Sequence, residues 1–242
     1  MKKILIIVFL VMVIFQLVAI SANLFADGFE GGTTAAWSSE TDTENDLTVT
    51  EAAALHGTYG LAVLIDNTTS MYLQDNTPTD EARYRARFYL DPNGISMPNA
   101  SAISILKAQT AAASGCFYVR LVYYTVTGYK LFCSIRNDAG TFVDTATFAI
   151  TDAPHCVEVD FIAAVNAGSI ELIIDGVLKE TKGSIDNDTK LIGTVLFGAI
   201  ETIAANTAGT FYLDDFASNN DGSEIGMISE ATDNAIMFGI NF

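Results

Sequence analysis

The chain has 242 residues, with 29 Asp and Glu against 12 Lys and Arg, and a formal net charge of −17 at pH 7. That excess disfavours binding to nucleic acid or to an anionic membrane surface by bulk charge, and favours binding of cations. The only histidines are His56 and His155, and Cys116, Cys133 and Cys156 are widely spaced. No zinc motif or phosphate loop is present, and a Ser-His-Asp triad has few ways to exist.

At the N-terminus, Lys2 and Lys3 precede an apolar run from Ile4 to Ala22 that ends in a stretch rich in small residues. This pattern predicts a hydrophobic signal helix over residues 1–22, removed on export. The rival is an uncleaved membrane anchor, since about 20 apolar residues can span a bilayer. Both place the rest of the protein at the cell surface or beyond it, and contact with a membrane is expected only through this segment.

From Phe25 onward, short alternating runs are separated by turn residues, as in an all-β sandwich. Strands are expected at 26–30, 47–51, 60–65, 70–74, 81–90, 102–108, 116–125, 129–136 and 142–150. Further strands are expected at 155–163, 169–175, 191–200 and 210–217, with a polar strand carrying Lys179 and Lys182. The run at 155–163 is the clearest: Val157, Val159 and Phe161 share one face, Glu158 and Asp160 the other. Asp175-Gly176 supplies the pair of positive-φ residues that a type I′ hairpin needs. One domain over 25–218 is expected, followed by a tail over 219–242. The apolar end of the tail, 235–242, could add a strand to its own sheet, or dock on a second copy to give a homo-oligomer or filament. The three cysteines allow at most one disulfide; as small buried hydrophobes they need none.

The hairpin His155-Cys-Val-Glu-Val-Asp-Phe161 to Gly168-Ser-Ile-Glu-Leu-Ile-Ile-Asp-Gly176 resembles that of laminin-G-like and concanavalin A-like jelly-roll domains of the carbohydrate-binding-module type. Asp27-Gly-Phe-Glu-Gly-Gly32, Trp37 and His56-Gly-Thr-Tyr-Gly-Leu61 resemble the opening of such modules, and Gly209-Thr-Phe-Tyr-Leu-Asp-Asp-Phe216 their closing strand. The resemblance implies a two-sheet antiparallel jelly-roll sandwich. It also implies a structural Ca²⁺ shared by the first and last strands, held by Glu30 and Asp214 or Asp215, with Asp27 and the backbone near Gly57 as additions. The implied function is non-catalytic recognition of carbohydrate at the cell surface or in an extracellular matrix. A structural subunit of a surface layer or filament is one alternative, and a polysaccharide-degrading enzyme another.

Two patterns bear on ligand and catalysis. In Glu81 to Leu90, Arg83, Arg85, Arg87 and Tyr89 share one strand face; in Cys116 to Tyr124 the polar side carries Tyr118, Arg120 and Tyr124. If these strands share a sheet with Glu158 and Asp160, their outer face could bind an acidic or sulfated glycan. The competing expectation is a self-neutralising ladder of arginines and carboxylates. Glu158-Val-Asp160 also resembles the start of the E-x-D-x-x-E strand of laminarinase-type glycoside hydrolases. The second glutamate of that pair should fall at 163, where the chain has Ala163, so the retaining mechanism lacks its acid/base.

Overall fold

The computed structural model describes residues 23–229. The expected signal segment 1–22 and the apolar run 235–242 lie outside the described residues. Among the described residues no helix is long and apolar enough to cross a membrane.

The strands are β1 (Asn23–Asp27), β2 (Ser39–Thr41), β3 (Leu47–Thr50), β4 (Gly60–Ile65), β5 (Met71–Asp75), β6 (Arg83–Asp91), β7 (Ser101–Gln109) and β8 (Gly115–Tyr124). They continue with β9 (Gly128–Arg136), β10 (Phe142–Asp144), β11 (Phe148–Ala149), β12 (His155–Ile162), β13 (Gly168–Ile174), β14 (Val177–Ile185), β15 (Thr194–Ile200) and β16 (Gly209–Asn219). They form two antiparallel sheets. The first runs β14-β13-β12-β6-β16-β4-β3, with β1 also on β16; the second runs β10-β9-β8-β7-β15-β5-β2, with β11 also on β9. The expected all-β, two-sheet antiparallel sandwich is the fold observed.

Alternation decides which side chains face inward. Tyr84, Ala86, Phe88 and Leu90 of β6, and Val157, Val159 and Phe161 of β12, are fully buried against Phe117, Val119 and Leu121 of β8. At one end of the core the Trp37 ring lies nearly parallel to Phe197, with centroids 5.7 Å apart, and to Phe29 at 6.4 Å; Phe25 and Phe216 close around it. Large aromatic side chains buried together in this way dominate the energetics of a sandwich core.

Three features depart from the strands expected from sequence. The opening strand ends at Asp27, because Phe29 turns at φ 57° and buries its ring. Strand β2 carries only Ser39, Glu40 and Thr41, all exposed, and forms through its pairing with β5. The run 142–150 breaks into β10 and β11 around the buried Thr145, whose amide donates to the Cys133 carbonyl and whose hydroxyl accepts from the Cys133 amide. No disulfide forms, as Cys116, Cys133 and Cys156 are all free and buried. The hairpin at Asp175-Gly176 takes positive φ at both residues, 53° and 70°, as the sequence predicts.

Candidate functional site

Strands β6 and β12 are neighbours in the first sheet, with Arg87 opposite Glu158 and Arg85 opposite Asp160. The side chains bond mainly along the diagonals: Arg83 grips Asp160 through Nη2 at 2.6 Å and Nε at 3.2 Å, and Arg85 donates to both Glu158 and Asp160. Arg85, Arg87, Glu158 and Asp160 are all buried, although they project from the outer face. Their cover is the segment after β16. The Ile225 and Gly226 amides donate to the two Glu158 oxygens at 3.1 and 3.0 Å, and the Ile228 amide donates to the Tyr89 hydroxyl at 2.9 Å. The Gly222 carbonyl accepts from Arg85 at 3.3 Å. Gly222 sits at φ 77°, and a Cβ there would lie 1.9 Å from the Arg83 guanidinium carbon, so only glycine fits. Arg87 turns the other way, donating to the Asp215 carbonyl at 2.7 Å and lying over the Tyr89 ring.

The expectation of one shared glycan face is therefore corrected. Arg83 and Arg85 are engaged with Glu158 and Asp160, Arg87 with the Asp215 carbonyl, and Tyr89 with the Ile228 amide of the tail. Tyr118, Arg120 and Tyr124 belong to β8 in the other sheet, on the opposite side of the sandwich. The ladder reading of Glu158 and Asp160 is the one that matches the geometry.

The carboxylates expected to share a calcium ion are committed to donors. Asp27 accepts from the Phe29 amide and from Trp37 Nε1, both at 2.9 Å, which orients the indole. Glu30 accepts from the Thr58 and Tyr59 amides, and a Cβ at Gly57 would collide with its carboxylate. Asp214 accepts from the Leu55, His56 and Asp215 amides, and Asp215 faces His56 Nδ1 at 3.2 Å. Among the described residues these four do not converge as a cluster of three ligand atoms. His155 opens β12, its Nε2 accepting from the Thr151 amide at 3.0 Å and its Nδ1 lying 2.7 Å from Asp175 Oδ2.

The outer face of the second sheet is different. Arg120 is opposite Phe132 of β9, and Tyr118 is opposite Lys107 of β7. The Arg120 guanidinium carbon lies 4.5 Å from the Tyr118 ring centroid and 5.9 Å from that of Phe132. Lys107 Nζ is 5.5 Å from the Tyr118 ring, Lys130 Nζ is 5.1 Å from Tyr124, and Arg136 lies over Phe142 at 5.5 Å. A stripe of cations on aromatic rings thus crosses β7, β8 and β9 in a protein of −17 charge. At one end Glu201, 41% exposed, accepts from the Tyr118 hydroxyl at 2.7 Å and lies 3.4 Å from Lys107 and 4.0 Å from Arg120. Burial, followed by the bond to Glu201, holds the Tyr118 phenol protonated well beyond neutral pH.

Tyr118, Arg120 and Tyr124 were readable from the alternation of β8; Lys107 was not, because a register shift between Ser104 and Leu106 breaks the period of β7. Glu201 carries no such signal, because it sits in a loop at φ 69° and reaches the stripe only in the folded chain.

No protein-family model and no curated protein matches the chain. Among solved structures, a mutant of the alginate lyase Aly36B in complex with alginate tetrasaccharide is similar at TM-score 0.53 and 14% identity, over 81% of this chain and 86% of that one. The receptor binding domain of botulinum neurotoxin C/D mosaic serotype is similar at TM-score 0.50 and 15% identity, over 78% and 43%. A structure describing cell entry of botulinum neurotoxin type C through two ganglioside molecules is similar at 0.51 and 12%, over 75% and 42%. The chain spans less than half the length of the neurotoxin structures. These likenesses establish the β-sandwich architecture.

Two outcomes follow from the charge arrangement. Glu158→Ala leaves Arg85 buried without its main partner and frees two tail amides, so denaturant unfolding should show a loss of about 3–5 kcal/mol; a loss below about 1 kcal/mol would mean the pair is solvated. Burial, the largest cause in each case, pushes Asp214 up to about 6 and also raises Asp27, Asp75 and Asp215. A carboxyl with a higher pKa folded than unfolded gives a native state that binds more protons between the two values, so stability falls as pH rises through about 4 to 6. Glu30, Asp138, Glu180 and Asp221 shift downward and lose their contribution only below about 4.5. The Tm in chelator should therefore rise as pH is lowered from about 7 to 5, and Asp214→Asn should flatten that rise. A Tm that drops over the same interval contradicts the assignment.

Proposed function

We propose that the protein is an exported, non-catalytic recognition module that binds an anionic polysaccharide on the outer face of its second sheet. One observation carries the reading: Arg120, held between the Tyr118 and Phe132 rings, presents a planar fork beside Lys107 and Lys130 on an otherwise acidic molecule. The buried Tyr118 ring fixes the guanidinium plane, the half-buried Phe132 and Tyr124 leave ring surface for a sugar, and the fork suits the geometry of a carboxylate or sulfate. Glu201 already places a carboxylate between Lys107, Arg120 and the Tyr118 hydroxyl, where the acidic group of a glycan would bind in exchange. The apolar N-terminal run, read as a signal, supports export, and the resemblance to carbohydrate-binding jelly rolls supports a sugar ligand. The similar lyase structure contains an alginate tetrasaccharide, an acidic glycan of the class proposed, and a similar neurotoxin is described as depending on gangliosides.

Non-catalytic recognition is favoured because Glu158 is committed to Arg85 and the tail, and because Ala163 stands where a retaining hydrolase needs its partner carboxylate.

Titration calorimetry with alginate oligosaccharides should give salt-sensitive binding, and neutral laminarin oligosaccharides should bind more weakly. Arg120→Ala should weaken alginate binding by about tenfold or more, the loss expected for a charge-assisted hydrogen bond, and Glu201→Ala should tighten it. Equal binding of neutral and acidic glycans, or an Arg120→Ala protein that binds like wild type, would contradict the face. Release of unsaturated uronate from alginate by the wild-type protein would contradict the non-catalytic assignment.

A further inference from the structure

The tail covers only part of the outer face of the first sheet. It leaves β16 at Asn219, passes Arg85 at Gly222 and Glu158 at Ile225 and Gly226, and reaches the Tyr89 hydroxyl at Ile228. This course brings it to the turn at Asp175-Gly176, where the Met227 side chain lies 3.8 Å from the place a Gly176 Cβ would occupy. Beside it, toward the end strand β14, a groove of about 150 Å³ stays open, lined by Glu224 and Gly226 of the tail and by Ile173 and Leu178 of β13 and β14.

Apolar side chains gather at this corner. Of the seven large apolar side chains exposed among the described residues, four are Val177, Leu178, Met227 and Ile228, at 55%, 52%, 54% and 37% exposure. The first two follow the hairpin turn and the last two end the tail, so they make a ledge beside the groove, and apolar residues exposed together mark a docking surface where scattered ones do not. The sequence beyond the tail supplies a matching strip. Residues 235–242 contain no charge and place Ile236, Phe238, Ile240 and Phe242 at every second position, which in an extended chain puts all four on one face. Only the five residues 230–234 lie between, a reach of about 17 Å at full extension, and Asp233-Asn234 among them suits a turn.

We propose that residues 235–242 fold back onto the ledge of Val177, Leu178 and Met227 and close the groove beside the ladder. A second copy of the chain is the poorer occupant. Each copy carries a net charge of −17 and Glu171 and Glu224 border the groove, so like charges oppose that association, whereas the strip brings no charge of its own. The short connection also presents the strip at an effective concentration in the millimolar range, which a second copy in dilute solution does not match. This contact lies on the first sheet and is independent of the glycan face on the second.

Paired cysteine substitutions in the full chain, treated with a short bismaleimide crosslinker, test the contact; Cys116, Cys133 and Cys156 are buried and do not compete. Leu178→Cys with Phe238→Cys should link within one chain. Leu64→Cys with Phe238→Cys should not, because Leu64, also exposed, lies on β4, and β13, β12, β6 and β16 separate it from β14. In a second measurement, Phe238→Ser with Ile240→Ser should uncover the ledge and raise the fluorescence of the apolar dye ANS. A link between two chains, equal linking at both sites, or no link at either overturns the proposal. So does dye fluorescence that is unchanged or lower in the double serine variant, the result expected of a strip that covers nothing.

Discussion

The ion ladder between β6 and β12 is the constraint on which the functional layout depends. Opposite charges on neighbouring strands would attract modestly in water, but here Arg85, Glu158 and Asp160 are buried, so each requires its partner. The segment 220–229 supplies the burial and also part of the satisfaction, through two amides to Glu158 and a carbonyl to Arg85. A face that looks like a polar binding surface in the strand pattern is thereby closed by the chain itself.

Closing one side leaves the second sheet as the side with half-buried rings and cations. Its stripe differs from the ladder in one respect: Arg120 and Lys130 rest on aromatic faces, interactions that hold orientation without using up hydrogen-bond donors. Glu201 is the exception: its side chain is 41% exposed, whereas that of Glu158 is 5% exposed. The two faces therefore contain similar residue types but differ in that the tail covers one and not the other.

Much of this was legible in the sequence, and what was missed has physical causes. The period-two runs of β6, β8 and β12 separated the two faces correctly, because a strand with one buried face has a pattern that does not survive a one-residue slip. Strand β2 was invisible, since Ser39-Glu40-Thr41 has no buried face and exists only through its partner. The assignment of strands to sheets was also out of reach: alternation gives the outward residues of β6 and β8 but not that these strands lie in different layers. Gly222 and Gly226 punctuate a polar stretch that reads as a loose tail, and only the register of β16 against β6 reveals that it lies over the ladder. The Asp27, Glu30 and Asp214 positions were picked out as ligands by resemblance, and in the fold each accepts backbone or indole N–H bonds that no sequence pattern announces.

The central claim is that ligand recognition belongs to the stripe on β7, β8 and β9 and not to the charged face of β6 and β12. Backbone and side-chain NMR shifts recorded while an acidic oligosaccharide is added test this most directly. The account predicts perturbations centred on Lys107, Tyr118, Arg120, Lys130 and Phe132, with Arg85, Glu158, Ile225 and Gly226 unmoved. Perturbations centred on that second group, with the stripe unmoved, would contradict it.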